Sequence, residues 1–147
     1  MTARRLLASL VVTLLAACAT PPPSETGANL AGTTWSLVEF RSSDDAIGVV
    51  RPTEGREYTM TFGIDGRVTM RLDCNRATGG FTATPGSGEG GSLAFSALAM
   101  TRAFCGEQSM DTRIARDAEF VRTYLLREGK LYIDLMADGG TYVWEAQ

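Results

Sequence analysis

The stretch from 57 to 73 constrains the fold most. Tyr58, Met60 and Phe62 alternate with Thr59 and Thr61. Val68, Met70 and Leu72 alternate with Arg67, Thr69, Arg71 and Asp73. A period of two puts each apolar set on one face of a strand. Asp65-Gly66 between the two runs is a hairpin signal. An apolar face backed by a charged one belongs to an antiparallel sheet with one wet side. The rest of the chain must be compatible with this hairpin.

Other segments extend it. Residues 32–40 read as a strand, with Trp35 and Leu37 on one face and Val38 and Phe40 on the other. The polar stretch 41–55 reads as a loop in which Ile47, Val49 and Val50 form a short edge segment. Residues 73–81 read as a sharp turn, with Asn75, Gly79 and Gly80 supplying positive-φ positions. Strands are expected over 81–84 and 92–96, around the glycine-rich tip 85–91. That tip lacks the Walker pattern and its lysine, which argues against a phosphate cradle. Met110, Ile114, Ala118, Val121 and Leu125 fall at helical spacing, so one helix is expected over 109–125. Ser109 can cap it and Asp111 suits its N-terminus. A second hairpin joins 130–136 to 141–144 through Asp138-Gly139-Gly140. The expected class is α+β: an antiparallel, strongly curved sheet or incomplete β-barrel with one packed helix.

The N-terminus carries a different signal. Arg4 and Arg5 precede an apolar run over 6–15. The run is too short to span a bilayer, which takes about 20 residues, and has the size of a signal-peptide core. Leu15-Ala16-Ala17-Cys18 resembles a bacterial lipobox. The resemblance implies a signal peptide over 1–17, cleavage before Cys18, a diacylglyceryl group on its thiol and an amine open to acylation. Two or three acyl chains anchor a protein stably where one does not. Ala19 follows the cysteine, and resemblance to Gram-negative lipoproteins then implies the periplasmic face of the outer membrane. Residues 18–29 would be the lipidated cysteine and a Pro-rich tether, and 30–147 the folded domain.

Charge and cysteine content narrow the function. Losing Arg4 and Arg5 leaves 12 basic against 17 acidic residues, a net charge of −5. Such a domain has no electrostatic case for nucleic acid. There is no histidine, which removes Ser-His-Asp and Cys-His catalysis and the usual zinc sites. No metal or cofactor is expected. With Cys18 assigned to lipid, Cys74 and Cys105 remain in an oxidising compartment, which favours a disulfide; two buried thiols are the alternative. The loop would be about 30 residues, worth roughly 3–4 kcal/mol.

Taken in order, Gly32-Thr33-Thr34-Trp35, Asp73-Cys74-Asn75, Gly79-Gly80-Phe81, Met100-Thr101-Arg102 with Cys105, and Glu119-Phe120 make the chain similar to the META domain family, which includes the HslJ-like bacterial lipoproteins. The resemblance covers roughly 30–146 and implies a curved sheet or broken barrel with a packed helix. It also implies an envelope protein connected with stress responses, with no established catalytic residues. On this reading Gly32 and Trp35 set a strand start and a core anchor, Asn75 and Gly79 the turn, and Cys74 and Cys105 a cross-link. Arg102 is either a buried partner for Asp73 or an exposed ligand contact. Asp73 departs from the small residue that many members carry there. The expected function is a lipid-anchored, non-catalytic binding or assembly module in envelope homeostasis. Its partner would be an envelope protein, or a small apolar ligand in a cavity lined by residues such as Trp35, Phe62, Leu93 and Phe95. The alternatives are a carboxylate-based envelope hydrolase, using Asp73, Glu107 and Asp111, and an inhibitor of such a hydrolase.

Overall fold

The 57–73 stretch forms the hairpin its alternation predicts. In the computed structural model, which describes residues 29–147, β3 (Tyr58–Phe62) pairs antiparallel with β4 (Arg67–Leu72). Tyr58, Met60, Phe62, Val68, Met70 and Leu72 are all buried. The connecting turn closes through Gly63 N–H donating to Arg67 O at 2.7 Å, with Gly66 at φ +77°. The signal-peptide segment 1–17, Cys18 and the tether up to residue 28 lie outside the described residues.

The other strands are β1 (Thr33–Arg41), β2 (Val49–Val50), β5 (Asn75–Pro85), β6 (Gly90–Phe95), β7 (Ala99–Met100), β8 (Val121–Arg127), β9 (Lys130–Leu135) and β10 (Thr141–Ala146). The sheet runs β10-β9-β8-β6-β5-β4-β3-β1, and β10 pairs back onto β1 from Trp35↔Ala146 to Arg41↔Thr141. Eight strands therefore close into a barrel, where the sequence suggested an incomplete one. Closure depends on β10 being long enough to cover β1, which removes both sheet edges. β2 adds to the end of β1, as the 41–55 reading anticipated, and β7 adds to β5.

Three local expectations are corrected. First, Phe40 does not lie opposite Trp35 and Leu37 but shares their core. A register shift between Leu37 and Glu39 inserts one residue and re-aims the strand end. Second, the sharp turn is at Asp73-Cys74 alone; Asp73 takes φ +59° and Asn75 already begins β5. Gly79 and Gly80 lie inside that strand. A Cβ on Gly79 would sit 2.7 Å from Leu98 Cδ2, so the glycine makes room for the Leu98 side chain rather than forming a turn. Third, the helix is short. α1 (Asp111–Asp117) continues as one 3₁₀ turn (Ala118–Phe120), after which Val121 opens β8.

The barrel has two distinct ends. The described chain enters at one, where Gly32 N–H donates to Phe62 O at 2.7 Å and Leu30 is fully buried. The β3–β4 turn, with Ile64 89% exposed, lies there, as does the C-terminus, where Gln147 N–H donates to Thr34 O. The opposite end, here the far end, carries the Asp73-Cys74 turn, residues 101–110 and α1. Met110 and Ile114 pack α1 onto the barrel core. Met110 N–H donates to the Tyr58 hydroxyl at 2.9 Å, fixing the helix start over β3.

Candidate functional site

The far end is organised by Asn75, the first residue of β5, whose side chain is fully buried. Its Nδ2 donates to Asp111 Oδ2 at 2.7 Å and to Ala103 O at 2.9 Å, and lies 3.2 Å from Cys105 Sγ. Its Oδ1 accepts from Thr101 Oγ1 at 2.8 Å and Ala103 N–H at 2.9 Å. One amide thus ties β5, the 101–105 segment and the start of α1 together. Buried amides need such complete partnering, because an unpaired one is costly.

Cys74 and Cys105 form a disulfide with Cα atoms 5.6 Å apart, beside this amide. Arg56 completes the frame: its guanidinium pairs with Asp73 and donates to Cys105 O at 2.7 Å. Arg102 is therefore not the partner of Asp73. It is exposed, and makes no ion pair among the described residues. Burial alone would raise the Asp111 carboxyl. The bonds it accepts from Asn75, the Thr112 backbone and the Ser109 and Thr112 hydroxyls outweigh that and hold it below its ordinary 3.8.

Between β7 and α1 these groups leave a cleft of about 500 Å³. Leu98, Met100 and Ala115 supply apolar walls, Arg102 and Arg116 the cations, and Phe104 stands at its rim, 86% exposed. The volume falls in the range of small-ligand and peptide clefts. Among the described residues Asp111 is the one carboxylate lining the cleft, and it is engaged with Asn75. Asp73, which the hydrolase alternative needed free, is engaged with Arg56, and Glu107 is exposed.

The barrel interior offers less space. Trp35, Phe62 and Leu93 are buried members of the core, Phe62 and Phe95 being stacked with centroids 6.1 Å apart. A void of about 20 Å³ lies among Met60, Phe95, Ile114 and Trp144, room for one water-sized molecule. Trp35 is the core anchor expected, and its Nε1 donates to Thr33 Oγ1 at 2.7 Å. Gly32, at φ +82°, precedes β1. Cys18 lies outside the described residues.

Sequence reasoning missed several buried polar groups. Asp117 accepts from the Tyr142 hydroxyl at 2.8 Å and from Arg116 at 3.0 Å. Burial and the Asp117 carboxylate push the Tyr142 phenol far above its ordinary 10.0. Glu39 is buried between Arg41 and Arg51, each at 2.6 Å. The hydrogen bond from Arg41 lowers its pKa from 4.5 against the opposing cost of burial, with Arg51 assisting. Among the described residues, no group of three or more His, Cys, Asp and Glu could hold a metal. No described helix is long and apolar enough to cross a membrane.

The model of the META domain matches residues 28–144. The chain belongs to the META domain family. The match runs through the barrel from Leu30 into β10. No curated protein matches the chain. A solution structure of a protein from Burkholderia xenovorans is similar at 18% identity, with a TM-score of 0.62 over 88% of this chain and 98% of that one. A crystal structure of a DUF4847 family protein from Bacteroides vulgatus is similar at 11% identity and TM-score 0.55, over 79% and 93% of the two chains. At these identities the likeness concerns the fold alone.

Proposed function

We propose that this META domain is a lipid-anchored binding or assembly module of the cell envelope, held at the periplasmic face of the outer membrane through Cys18 and engaging a partner at its far-end cleft. The observation that carries the reading is the placement of the cleft. The described chain starts beside the β3–β4 turn, and the cleft lies at the other end of the barrel. An acyl anchor at Cys18 would leave 11 residues, 19–29, before the domain. Such a segment reaches at most about 3.3–3.6 Å per residue. The barrel would hang from its entry end, with Arg102 and Phe104 turned away from the lipid towards the periplasm. The Asn75 network and the disulfide hold that face in one shape, which lowers the ordering cost of binding. Both nearby aspartates are engaged in holding structure, which suits recognition better than acid–base chemistry.

The anchoring half is tested by fractionating cells that produce the chain or Cys18→Ser, with intact mass of the extracted protein. A diacylglyceryl or triacyl increment on the membrane-bound chain, lost with release of the variant, is the expected result. An unmodified mature mass would overturn it. The binding half is tested by charge reversal at Arg102, which should abolish recovery of a partner cross-linked at the cleft without altering membrane attachment.

A further inference from the structure

The cleft borders a strand with a free side. Among the described residues β7 pairs with β5 alone, through Ala77↔Met100 and Thr78↔Ala99. Thr101 N–H donates to Arg76 O at 3.0 Å, so the Arg76–Thr101 pair directs its backbone groups inward. In an antiparallel ladder such pairs alternate. Met100, one residue on, therefore turns its N–H and C=O away from β5. Among the described residues no other strand continues the sheet there, because pairing of β6 with β8 stops at Ser92↔Thr123. The facing wall is α1, through Thr112, Ala115 and Arg116.

We infer that this cleft is a strand acceptor: an extended, carboxylate-bearing peptide segment of a partner protein pairs with the free side of β7 and sets its acidic side chains on Arg102 and Arg116. The inference deepens the binding reading above and rests on it. A groove between a strand edge and a helix is the geometry in which a peptide adds a strand, its main chain giving affinity and alternate side chains giving selection. Apolar residues at alternate positions would meet Leu98, Met100 and Ala115. The charge pattern selects the peptide's sign. Arg102 makes no ion pair among the described residues, and Arg116 makes only the one to Asp117. Asp111, the nearby carboxylate, is turned onto Asn75. The chain is acidic as a whole, so the cations at this cleft are a local departure. The acceptor side is rigid: Asn75 binds Thr101 and both backbone groups of Ala103, and the absent side chain of Gly79 lets the Leu98 side chain pack closely on β5.

The test uses the full chain extracted in detergent and two capped seven-residue probes, one alternating glutamate with valine and one alternating lysine with valine. Binding is read by fluorescence anisotropy, and strand addition by amide hydrogen exchange. The glutamate peptide should bind and the lysine peptide should not. Arg102→Glu, at an exposed position where folding is unaffected, should weaken binding about tenfold or more, and Arg116→Glu should weaken it in the same direction. The Met100 amide should become protected only with the glutamate peptide, and N-methylation of the peptide's central amide should abolish both signals. Equal binding of the two peptides, or binding indifferent to Arg102→Glu, would overturn the inference. A cleft-bound partner that leaves the Met100 amide exchanging freely would overturn strand addition while leaving the binding reading standing. Failure of every partner and peptide to engage the cleft would remove both.

Discussion

Replacing Asn75 with alanine should be among the most damaging single changes in this domain. The substitution deletes the charge-assisted bond to Asp111 and the bonds to Ala103 and Thr101. A hydrogen bond to a charged group is worth about 1.5–3 kcal/mol and a neutral one about 1 kcal/mol. Water can re-solvate Ala103 and Thr101, which are exposed, but reaches Asp111 poorly, since that carboxylate is buried. The net loss should be about 3–4 kcal/mol, a large share of the 5–15 kcal/mol of a typical domain. Urea unfolding followed by the fluorescence of Trp35 and Trp144, on protein with the disulfide intact, measures it. A loss below about 1 kcal/mol would refute the idea that Asn75 holds the far end together. Asn75→Asp sharpens the test through pH. Two adjacent carboxylates raise the pKa of one of them in the fold, so the variant keeps its stability in acid and loses it as pH rises through that raised value. The unaltered chain behaves oppositely. Asp111 is lowered from 3.8 and Glu39 from 4.5, so their contributions are present above these values and are lost as pH falls through the lower folded ones.

Other perturbations have definite outcomes. Replacing both Cys74 and Cys105 with serine opens a loop spanning 31 positions and should cost about 3–4 kcal/mol in urea unfolding; an unchanged midpoint would contradict it. Gly140→Ala forces a side chain onto φ +112° and against the Phe40 ring and Arg41 O, so thermal unfolding should show a loss of about 2 kcal/mol or more. Tyr142→Phe removes the donor to buried Asp117 and should cost about 1–3 kcal/mol by the same urea assay. An ultraviolet titration of the folded chain should show Tyr142 staying protonated well above pH 10.0, and its ionisation at the ordinary value would count against its burial.

The first hairpin was legible because its strands alternate between core and surface, so a period of two survives in the sequence, whereas the second was legible from its Asp138-Gly139-Gly140 turn, since Tyr142, Val143 and Trp144 are buried in succession. β8 was read as helix for a physical reason. Val121 and Leu125, which the helical spacing joined to α1, belong to this strand, where a register shift between Val121 and Thr123 breaks the alternation and leaves Val121 and Tyr124 buried three residues apart, with Leu125 exposed. A bulge therefore imitates helical spacing, and the real helix just before it supplied a false start. The same effect hid the placement of Phe40 in β1. The first half of β5 was read as a turn because glycine pairs signal turns locally, whereas Gly79 answers a long-range demand, room for the Leu98 side chain. At the far end, the cysteine pair and Asn75 stood out by residue type. Arg56 did not, since nothing local distinguishes it from the other arginines, and only the fold brings it to Asp73. The cleft itself joins residues 98–104 to 112–116 and carries no sequence period.

The most direct test of the account is site-specific photo-crosslinking in cells, with a photoreactive phenylalanine at position 104 or at position 64 of the full chain. These positions mark the far end and the entry end, and both side chains are largely exposed. The account predicts a discrete protein adduct from position 104 that disappears with Arg102→Glu, and none from position 64, which the proposed anchor would turn towards the lipid. Protein adducts from position 64 with none from position 104 would contradict it, placing the binding surface at the end of the barrel where the chain enters.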